Sequence, residues 1–299
     1  MRVHVRIPAT TANLGPGFDA LGLALALYNE VVAAEGEGVS VKIEGEGADR
    51  LARDGANVVA RGVKLAYEAV GRQFKGCALE CVNRIPTARG LGSSAAAWVG
   101  GLVAGNALVG SPLSREALLS LAARAEGHPD NVAAAIFGGL TVSCGTAEGV
   151  TAVPLPVSKS LAWVVLVPEL TASTAEARAL LPRSVPREDA VFNVQRVALL
   201  LAGLQAGRPE TLSSALDDRL HQPYRLKLFP WMPAVAAAAR AAGALGCVLS
   251  GAGPSLLAVV AGDGTAVGRA MEDALRRAGV SGSARALEVD SAGAIITSS

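Results

Sequence analysis

The glycine-rich stretch IPTARGLGSSAAAWVGG, residues 85–101, limits the fold of this chain more than any other segment. Residues 90–95, GLGSSA, match the spacing of the dinucleotide-binding fingerprint G-x-G-x-x-G/A. That fingerprint needs a helix leading to a second strand that ends in an acidic residue, whereas the apolar spacing here predicts one helix followed directly by another. No Gly-Lys-Ser/Thr follows the glycines, as a P-loop requires. The segment therefore excludes both of these nucleotide-binding folds.

Two interpretations of the same stretch remain open. Glycines let backbone N–H groups approach an anion closely, and the N-terminus of the following helix adds positive potential. Ser93 and Ser94 could then ligate a metal ion bound to a phosphate. Alternatively, Gly90 and Gly92 only cap a helix whose alanines permit close packing. The loop by itself does not decide between phosphate binding and packing.

The order of the predicted elements favours an α+β fold, because strands and helices follow one another without regular βαβ alternation. Two prolines in TAVPLPVSKS, residues 151–160, interrupt the pattern, and we place a domain boundary there, between 1–157 and 158–299. In the first domain the predicted strands are 3–7, 30–35, 39–44 and 77–85, and the helices are 57–70, 95–109 and 114–126. In the second the strands are 161–167, 247–249, 256–260 and 284–289, and the helices are 192–206, 209–220, 233–242 and 265–278.

Charge and apolar patterning argue against two classes of partner. The 299 residues carry 27 Lys+Arg against 26 Asp+Glu, and no stretch forms the basic strip that a nucleic acid requires. Residues 241–262 carry no charge, but their centre, SGAGPS, would leave backbone polar groups unpaired in lipid. The residues that follow Met1 do not form the apolar core of a signal peptide. We therefore expect a soluble cytoplasmic protein that binds neither nucleic acid nor membrane.

The cysteines and histidines do not indicate a zinc site. The four cysteines form no CxxC pair, and the three histidines lie far apart in the sequence. Cys77, Leu79 and Cys81 alternate as one face of a strand would. This spacing predicts buried thiols that pack as small apolar side chains.

Four separated segments resemble motifs of the GHMP kinases, a family of small-molecule kinases. They are IPATTANLGPGFDALGLAL (7–25), PTARGLGSSAA (86–96), EGHPDNVAAAIFGG (126–139) and LSGAGPSLLA (249–258). The first and third favour the homoserine branch of that family. The resemblance implies an α+β GHMP kinase fold, in which an N-terminal domain like ribosomal protein S5 domain 2 precedes a ferredoxin-like C-terminal domain. It also implies phosphorylation of L-homoserine by ATP, a step towards threonine, with the substrate between the domains, and it leaves a homodimer open.

The resemblance also implies roles for individual residues. The ATP-binding loop comprises Pro86, Thr87, Ala88, Arg89, Gly90, Leu91, Gly92, Ser93, Ser94, Ala95 and Ala96. Ser94 and Glu126 are implied as the ligands of Mg²⁺, which takes few protein oxygens and keeps several waters. The implied substrate-binding residues are Asn13, Asp19, His128, Asp130, Asn131, Arg196 and Arg225, and the implied catalytic residues are Asn131, Arg196 and Glu126.

The chemistry of homoserine explains the types of residue in this set. A planar guanidinium can hold the substrate carboxylate through two parallel bonds, which fits Arg196 and Arg225. We expect both arginines to pair with Asp19 across the cleft. Without the resemblance, a surface position is the favoured interpretation of both arginines, and Asp19 could bond its own turn.

The resemblance leaves two alternatives for the group that accepts the proton of the substrate hydroxyl. Relatives such as galactokinase and mevalonate kinase carry a Lys or Arg near the positions of Thr11 and Ala12, which pairs with a catalytic Asp. Its absence predicts transfer of the proton to the γ-phosphate, with Asn131 or Arg196 orienting the group, whereas Asp130 would be the general base in the alternative. Another GHMP kinase activity, or a non-catalytic protein of the same fold, would be the competing functions.

Overall fold

The computed structural model describes residues 1–297; residues 298 and 299, which belong to the predicted second domain, lie outside the described part. The strands are β1 (Arg2–Ala12), β2 (Leu21–Glu35), β3 (Gly38–Gly45), β4 (Gly76–Asn83), β5 (Leu140–Thr146), β6 (Gly149–Leu155), β7 (Leu161–Pro168), β8 (Ala244–Leu249), β9 (Leu256–Ala261), β10 (Gly282–Leu287) and β11 (Ile295–Thr297). The helices are α1 (Val58–Ala69), α2 (Ser93–Leu108), α3 (Arg115–Glu126), α4 (Asp130–Phe137), α5 (Thr174–Ala179), α6 (Arg187–Ala206), α7 (Pro209–Ala215), α8 (Gln222–Arg225), α9 (Met232–Ala241) and α10 (Thr265–Arg277). Within residues 1–297, no helix has both the length and the apolar character that a membrane crossing needs.

The strands of the first half of the chain and the last strand, β11, form one sheet in the order β11-β1-β2-β4-β3. β5 and β6 are added beside the beginning of β2. The β3–β4 pair is parallel, and the other pairs are antiparallel. With 15 residues, β2 is long enough to pair with β5 at one end and β4 at the other. Cys77, Leu79 and Cys81 are buried on one face of β4, which confirms their predicted burial.

Helices α1 and α2 approach one another at glycines. A Cβ at Gly101 would lie 2.2 Å from the carbonyl oxygen of Val59, and one at Gly62 would lie 2.9 Å from that of Trp98. On the adjoining side of α2, a Cβ at Gly100 would lie 2.9 Å from the Ile7 side chain of β1. These close contacts fix the position of α2 on the sheet and hence the place where the glycine-rich loop enters it.

The second sheet has the order β10-β7-β9-β8 and is antiparallel throughout. With its helices, the chain runs β7, α5 to α9, β8, β9, α10 and β10, which is the ferredoxin-like βαββαβ order that was expected. Met232 and Val235 of α9 and Met271 and Leu275 of α10 pack against this sheet in a separate apolar core. The second half of the chain therefore has its own core.

The end of the described chain returns to the first sheet. β11 pairs with β1, and Asp290 accepts hydrogen bonds from the Tyr28 hydroxyl and from the N–H groups of Ala292 and Gly293. The predicted boundary between residues 157 and 158 thus falls between the two sheets in the chain, while this last segment packs on the first one.

The predicted helix at 209–220 is wrong in its second half, since α7 ends at Ala215. The carboxylate of Asp218 accepts the N–H groups of Leu220, His221 and Gln222, which turns the chain and starts the short helix α8. The helices α4, α5 and α8 were not predicted, because eight or fewer residues give too little periodicity to be recognised.

Candidate active site

A cleft opens where loops from both sheets meet. The β1–β2 loop forms one wall, the glycine-rich loop before α2 forms the floor, and α5, α8 and the β8–β9 loop close the other side. Its lining residues are Asn13, Phe18, Asp19, Ala88, Arg89, Gly90, Gly92, Ser93, Ser94, Glu126, His128, Asn131, Ala172, Thr174, Arg178, Arg225, Gly251, Ala252 and Gly253. The structure therefore gathers most of the predicted site in one cleft.

Hydrogen bonds to main-chain carbonyls tie three of the motif segments together beneath this cleft. The Thr10 N–H donates to the carbonyl of Leu91 (3.1 Å), and the Ser250 hydroxyl donates to the carbonyl of Gly90 (2.6 Å). From the other side of the cleft, the Ala172 N–H donates to the carbonyl of Ala88 (3.0 Å). The glycine-rich loop is thus held by both halves of the chain.

The geometry of the loop glycines is consistent with both interpretations left open by the sequence, phosphate binding and close packing. Gly90 and Gly92 have positive φ angles of 76° and 70°. A Cβ at Gly90 would lie 2.3 Å from the Ser250 carbonyl oxygen, and one at Gly92 would lie 1.9 Å from the Thr10 hydroxyl, so close packing requires both glycines. Gly92 is also the N-cap of α2 and makes no side-chain capping bond, so the first N–H groups of the helix are available to an anion in the cleft.

Ser94 and Glu126 lie together at the N-terminus of α2. The Ser94 hydroxyl donates to Oε2 of Glu126 at 2.7 Å. Burial raises the pKa of the Glu126 carboxyl, against the opposing effect of the Ser94 bond. In residues 1–297 no group of three or more His, Cys, Asp or Glu side chains gathers to hold a metal unaided. A hydroxyl and a carboxylate do suit Mg²⁺ that completes its ligand set with phosphate oxygens and water, so the pair fits this ion.

His128, Asp130 and Asn131 lie together at the start of α4. Oδ1 of the buried Asp130 is 2.7 Å from Nδ1 of His128 and accepts the Asn131 N–H at the same distance. Burial lowers the pKa of His128, but the bond to Asp130 and the charges of Asp130 and Glu126 outweigh it, so the pKa is raised overall. His128 and Asn131 line the cleft, whereas Asp130 is absent from its lining and acts on the other two.

Asp19 is bound by an arginine that the sequence analysis did not single out. Nη1 and Nη2 of Arg178 donate to its two carboxylate oxygens at 2.9 and 2.6 Å. The bonds to Asp19 raise the pKa of Arg178, with burial opposing them. Both groups are about one third exposed, so the pair is reachable from the cleft. It presents an acid and a guanidinium side by side.

Arg225 is the second guanidinium of the cleft, and only 1% of it is exposed. Burial lowers its pKa to about 10, with the charge of Arg178 adding to the effect. Its Nη1 donates to the carbonyl of Gly251 at 3.0 Å, and its guanidinium and that of Arg178 each lie 5.5 Å from the Phe18 ring centroid. Two like charges thus lie beside Phe18 and face the same cleft.

The structure places Arg196 away from the cleft. Its guanidinium stacks on Phe192, 3.6 Å from the ring centroid, and donates to the side chain of Gln195. The predicted pairing of Arg196 and Arg225 with Asp19 is therefore wrong, because Arg178 makes that contact and Arg225 bonds to His221 and the Gly251 carbonyl instead. Arg178 was missed because it lies on a six-residue helix in a stretch without predicted elements. An arginine shortly after a predicted strand end, in STAEAR, was the only available signal.

A second, more apolar cavity adjoins the glycine-rich loop. Asn57, Val58 and Val59 at the start of α1 line it, as do Ser93 and Ser94, which also line the cleft. Arg89 belongs to this loop and lines the cleft, and its Nε is buried with no hydrogen-bond partner among residues 1–297. An apolar cavity, free helix N–H groups and an unpartnered guanidinium nitrogen fit a nucleotide with its phosphates toward α2.

Two family models and several relatives match this chain. The model of the GHMP kinases N terminal domain matches residues 57–139, and that of the GHMP kinases C terminal matches 200–283. The homoserine kinase of Moorella thermoacetica is 47% identical over 98% of this chain and 99% of its own length. That of Carboxydothermus hydrogenoformans is 46% identical, over 93% of this chain and 91% of its own.

A solved homoserine kinase structure also resembles this chain over nearly its whole length. The crystal structure of homoserine kinase from Cytophaga hutchinsonii superimposes with a TM-score of 0.90 at 30% identity, covering 99% of this chain and 97% of that one. Fold and site together therefore define a small-molecule kinase with two domains. The chain belongs to the GHMP kinases and, within them, to the homoserine kinase family.

Proposed function

We propose that this protein transfers the γ-phosphoryl group of ATP to the side-chain hydroxyl of L-homoserine, forming O-phospho-L-homoserine for threonine synthesis. The observation that carries the proposal is the single cleft in which the Ser94–Glu126 pair, at the N-terminus of α2, faces the Asp19–Arg178 pair. The first pair suits a phosphate-bound cation, and the second suits an amino acid zwitterion.

ATP binds with its base in the apolar cavity beside Asn57 and its phosphates along the glycine-rich loop. The N–H groups at the start of α2 donate to phosphate oxygens, and phosphoryl transfer depends mainly on such charge neutralisation. Ser94 and Glu126 hold Mg²⁺, which, when bound, supplies further positive charge to the transferred group. Arg89 provides an additional donor from the loop.

L-Homoserine binds on the other side of the cleft. Asp19 accepts from its ammonium group, and Arg178 and Arg225 donate to its carboxylate. The ligand takes over both partners of the Asp19–Arg178 pair, so neither charge is left without a partner. Asn13 donates to the carbonyl of Gly251 at 3.0 Å and accepts the Asp19 N–H, which fixes the loop that carries Asp19.

The hydroxyl oxygen forms the new bond to phosphorus while the bond from phosphorus to the β–γ bridging oxygen breaks, and the proton passes to an oxygen of the transferred phosphoryl group. Two features of Asp130 support this base-free course over general-base catalysis. Asp130 is absent from the cleft lining, and its Oδ1 already contacts His128 and the Asn131 N–H. Asn131 lines the cleft and orients the hydroxyl.

Two further parts of the proposal concern the assembly and the location. We propose that the enzyme works in the cytoplasm, where ATP and amino acid precursors are available, and that it forms a homodimer. Sedimentation of the purified protein tests the second statement, since a monomer at all concentrations would refute it.

A substrate panel tests the proposed activity. ADP release is measured with ATP and Mg²⁺ in the presence of L-homoserine, mevalonate or galactose, and the product is identified by mass spectrometry and ³¹P NMR. We expect a phosphate monoester with L-homoserine only, and none when Mg²⁺ is chelated. Turnover of mevalonate or galactose without turnover of L-homoserine would refute the assignment.

A further inference from the structure

His221 is fully buried behind the cleft, between the β1–β2 loop and Arg225. Its Nε2 lies 2.8 Å from the carbonyl oxygen of Gly15, and its Nδ1 lies 3.0 Å from Nη1 of Arg225. The ring stacks on Phe18, with the centroids 5.1 Å apart. The imidazole therefore contacts the loop and the guanidinium that form opposite walls of the substrate site.

The two partners determine the protonation of the ring. A carbonyl oxygen can only accept and a guanidinium can only donate, so Nε2 carries the proton and Nδ1 accepts. Burial lowers the pKa of His221, and the charge of Arg225 lowers it further, against opposing effects of Asp218 and Asp19. The neutral ring is thus a donor on one side and an acceptor on the other.

Neighbouring contacts leave the ring little freedom. Asp218, whose side chain is fully buried, accepts the backbone N–H of His221 at 3.1 Å, and the same Oδ2 lies 3.5 Å from the ring Nε2, on the side that donates to Gly15. Gly15 has a φ of +80°, and a Cβ there would lie 2.3 Å from the Leu216 carbonyl oxygen, so the loop is pressed against the segment before α8. Asn13 and Arg225 share the Gly251 carbonyl as acceptor. The β1–β2 loop, the His221 ring and the Arg225 guanidinium are therefore joined by one network of hydrogen bonds.

We propose that His221 is a positioning residue for the substrate: by accepting from Arg225 and donating to Gly15, it holds the guanidinium and the Asp19-bearing loop at the spacing that an amino acid carboxylate and ammonium group require. This inference rests on the proposed function, because it assigns Arg225 to the carboxylate of L-homoserine. His221 touches neither the substrate nor the transferred phosphoryl group.

Two substitutions separate the two ring contacts. An asparagine amide occupies the place of Nδ1, so His221→Asn can still accept from Arg225 while it loses the contact to Gly15. A glutamine amide reaches the place of Nε2, so His221→Gln can still donate to Gly15 while it loses the acceptor for Arg225. His4→Gln is the matched control, since His4 lies on β1 and contacts Glu30.

We expect His221→Gln to raise the KM for L-homoserine about tenfold or more, because a hydrogen bond to a charged group is lost. The KM for ATP and kcat should change by less than about threefold, because the nucleotide side of the cleft is untouched. His221→Asn should restore most of the affinity for L-homoserine, and His4→Gln should match the wild type.

Equal rises of both KM values in the Asn and Gln variants, in step with a lower Tm, would show a merely structural role and overturn the proposal. A wild-type KM in His221→Gln would overturn it as well. If the wild type does not turn over L-homoserine, the proposed function and this inference both fail. A further measurement needs no variant: ¹⁵N NMR of the wild-type imidazole should show Nδ1 without a proton, and a proton on Nδ1 would refute the arrangement.

Discussion

The bond between Ser94 and Glu126 is the contact on which the metal assignment depends at the scale of single residues. We predict that Ser94→Ala and Glu126→Gln each lower kcat at least ~10²-fold, because each removes an oxygen that would hold the cation at the transferred phosphoryl group. Both variants should fold, since neither empties the core. Steady-state kinetics over a range of Mg²⁺ concentrations checks this.

Glu116→Gln is the control for the charge change, because Glu116 is exposed in the first turn of the same helix, α3. It should leave kcat and the Mg²⁺ requirement unchanged. Near-normal kcat at saturating Mg²⁺ for both site variants would remove the metal assignment.

Arg178 and Arg196 offer a matched comparison of two arginines. Arg178 is bonded to Asp19 in the cleft, and Arg196 is stacked on Phe192 outside it. We predict that Arg178→Gln raises the KM for L-homoserine about 10- to 100-fold, because the substrate carboxylate loses a guanidinium and Asp19 loses its resting partner. Arg196→Gln should change it less than about threefold, since no cleft contact is removed. The reverse ranking would restore the substrate role predicted for Arg196.

The residues of the site were predictable to different degrees, for physical reasons. Asn13, Asp19, Ser94, Glu126 and Asn131 lie in motif segments, and the structure brings all five to the cleft. Arg178 and His221 are connected to that cleft through partners more than 150 residues away in the chain, Asp19 and Gly15 respectively. Only the fold makes such contacts visible.

The contact between α1 and α2 sets the position of the glycine-rich loop at the scale of elements. We predict that Gly101→Ala destabilises the protein by about 1–3 kcal/mol, because its Cβ would lie 2.2 Å from the Val59 carbonyl oxygen and the helices must move apart. Thermal or chemical unfolding measures the change. A raised KM for ATP should accompany it, since α2 carries the loop.

Gly268→Ala in α10 is the control, because the nearest atom to its Cβ lies at 3.4 Å, an ordinary contact. Alanine is the better helix former, so this variant should be neutral or more stable by up to about 1 kcal/mol. Equal effects of the two substitutions would mean that the close helix contact does not determine the cost.

Three helices with clear periodicity were predicted well, whereas only 30–35 of the 15-residue strand β2 and 192–206 of the 20-residue helix α6 were predicted. The predicted helices at 57–70, 114–126 and 265–278 differ by one residue or none at either end from α1, α3 and α10. Failures occurred where a side chain overrides periodicity, as Asp218 does by ending the helical run after α7. They also occurred in short helices that only tertiary contacts stabilise.

Buried neutral His221 makes the stability of the whole molecule depend on pH. Its folded-state pKa lies below the ordinary value of 6.5, mainly through burial and the charge of Arg225, with Asp218 and Asp19 opposing. Below about pH 6.5 the unfolded chain therefore binds a proton that the folded chain does not, so this contribution is complete above that pH and is lost as pH falls. We predict that the difference in unfolding free energy between wild type and His221→Asn shrinks between about pH 7.5 and pH 5.5.

Chemical unfolding at several pH values measures this difference. His128 has a raised pKa and therefore acts with the opposite sign, but it is present in both proteins and cancels. A difference that stays constant, or grows as pH falls, would contradict the neutral ring.

The α+β class and the ferredoxin-like second half followed from the sequence and its family resemblance, and the structure confirms both. The return of the last segment to the first sheet did not follow, because β11 has three residues and no periodic signal. Its position depends on Asp290, which accepts from the N–H groups of Ala292 and Gly293 and from the hydroxyl of Tyr28 in β2. Contacts between chain ends of this kind are fixed by packing and not by local preference.

Recognition of an amino acid substrate in the cleft can be tested by the ratio of kcat/KM for L-homoserine to kcat/KM for 3-aminopropan-1-ol. The second compound keeps the ammonium group and the hydroxyl but lacks the carboxylate, so it leaves Arg178 and the buried Arg225 without their partner. Leaving a buried charge unpaired costs about 2–5 kcal/mol, and we therefore predict that L-homoserine reacts ~10²-fold or more faster. Equal kcat/KM values for the two compounds would contradict recognition of an amino acid in this cleft, and with it the assignment of L-homoserine as the substrate.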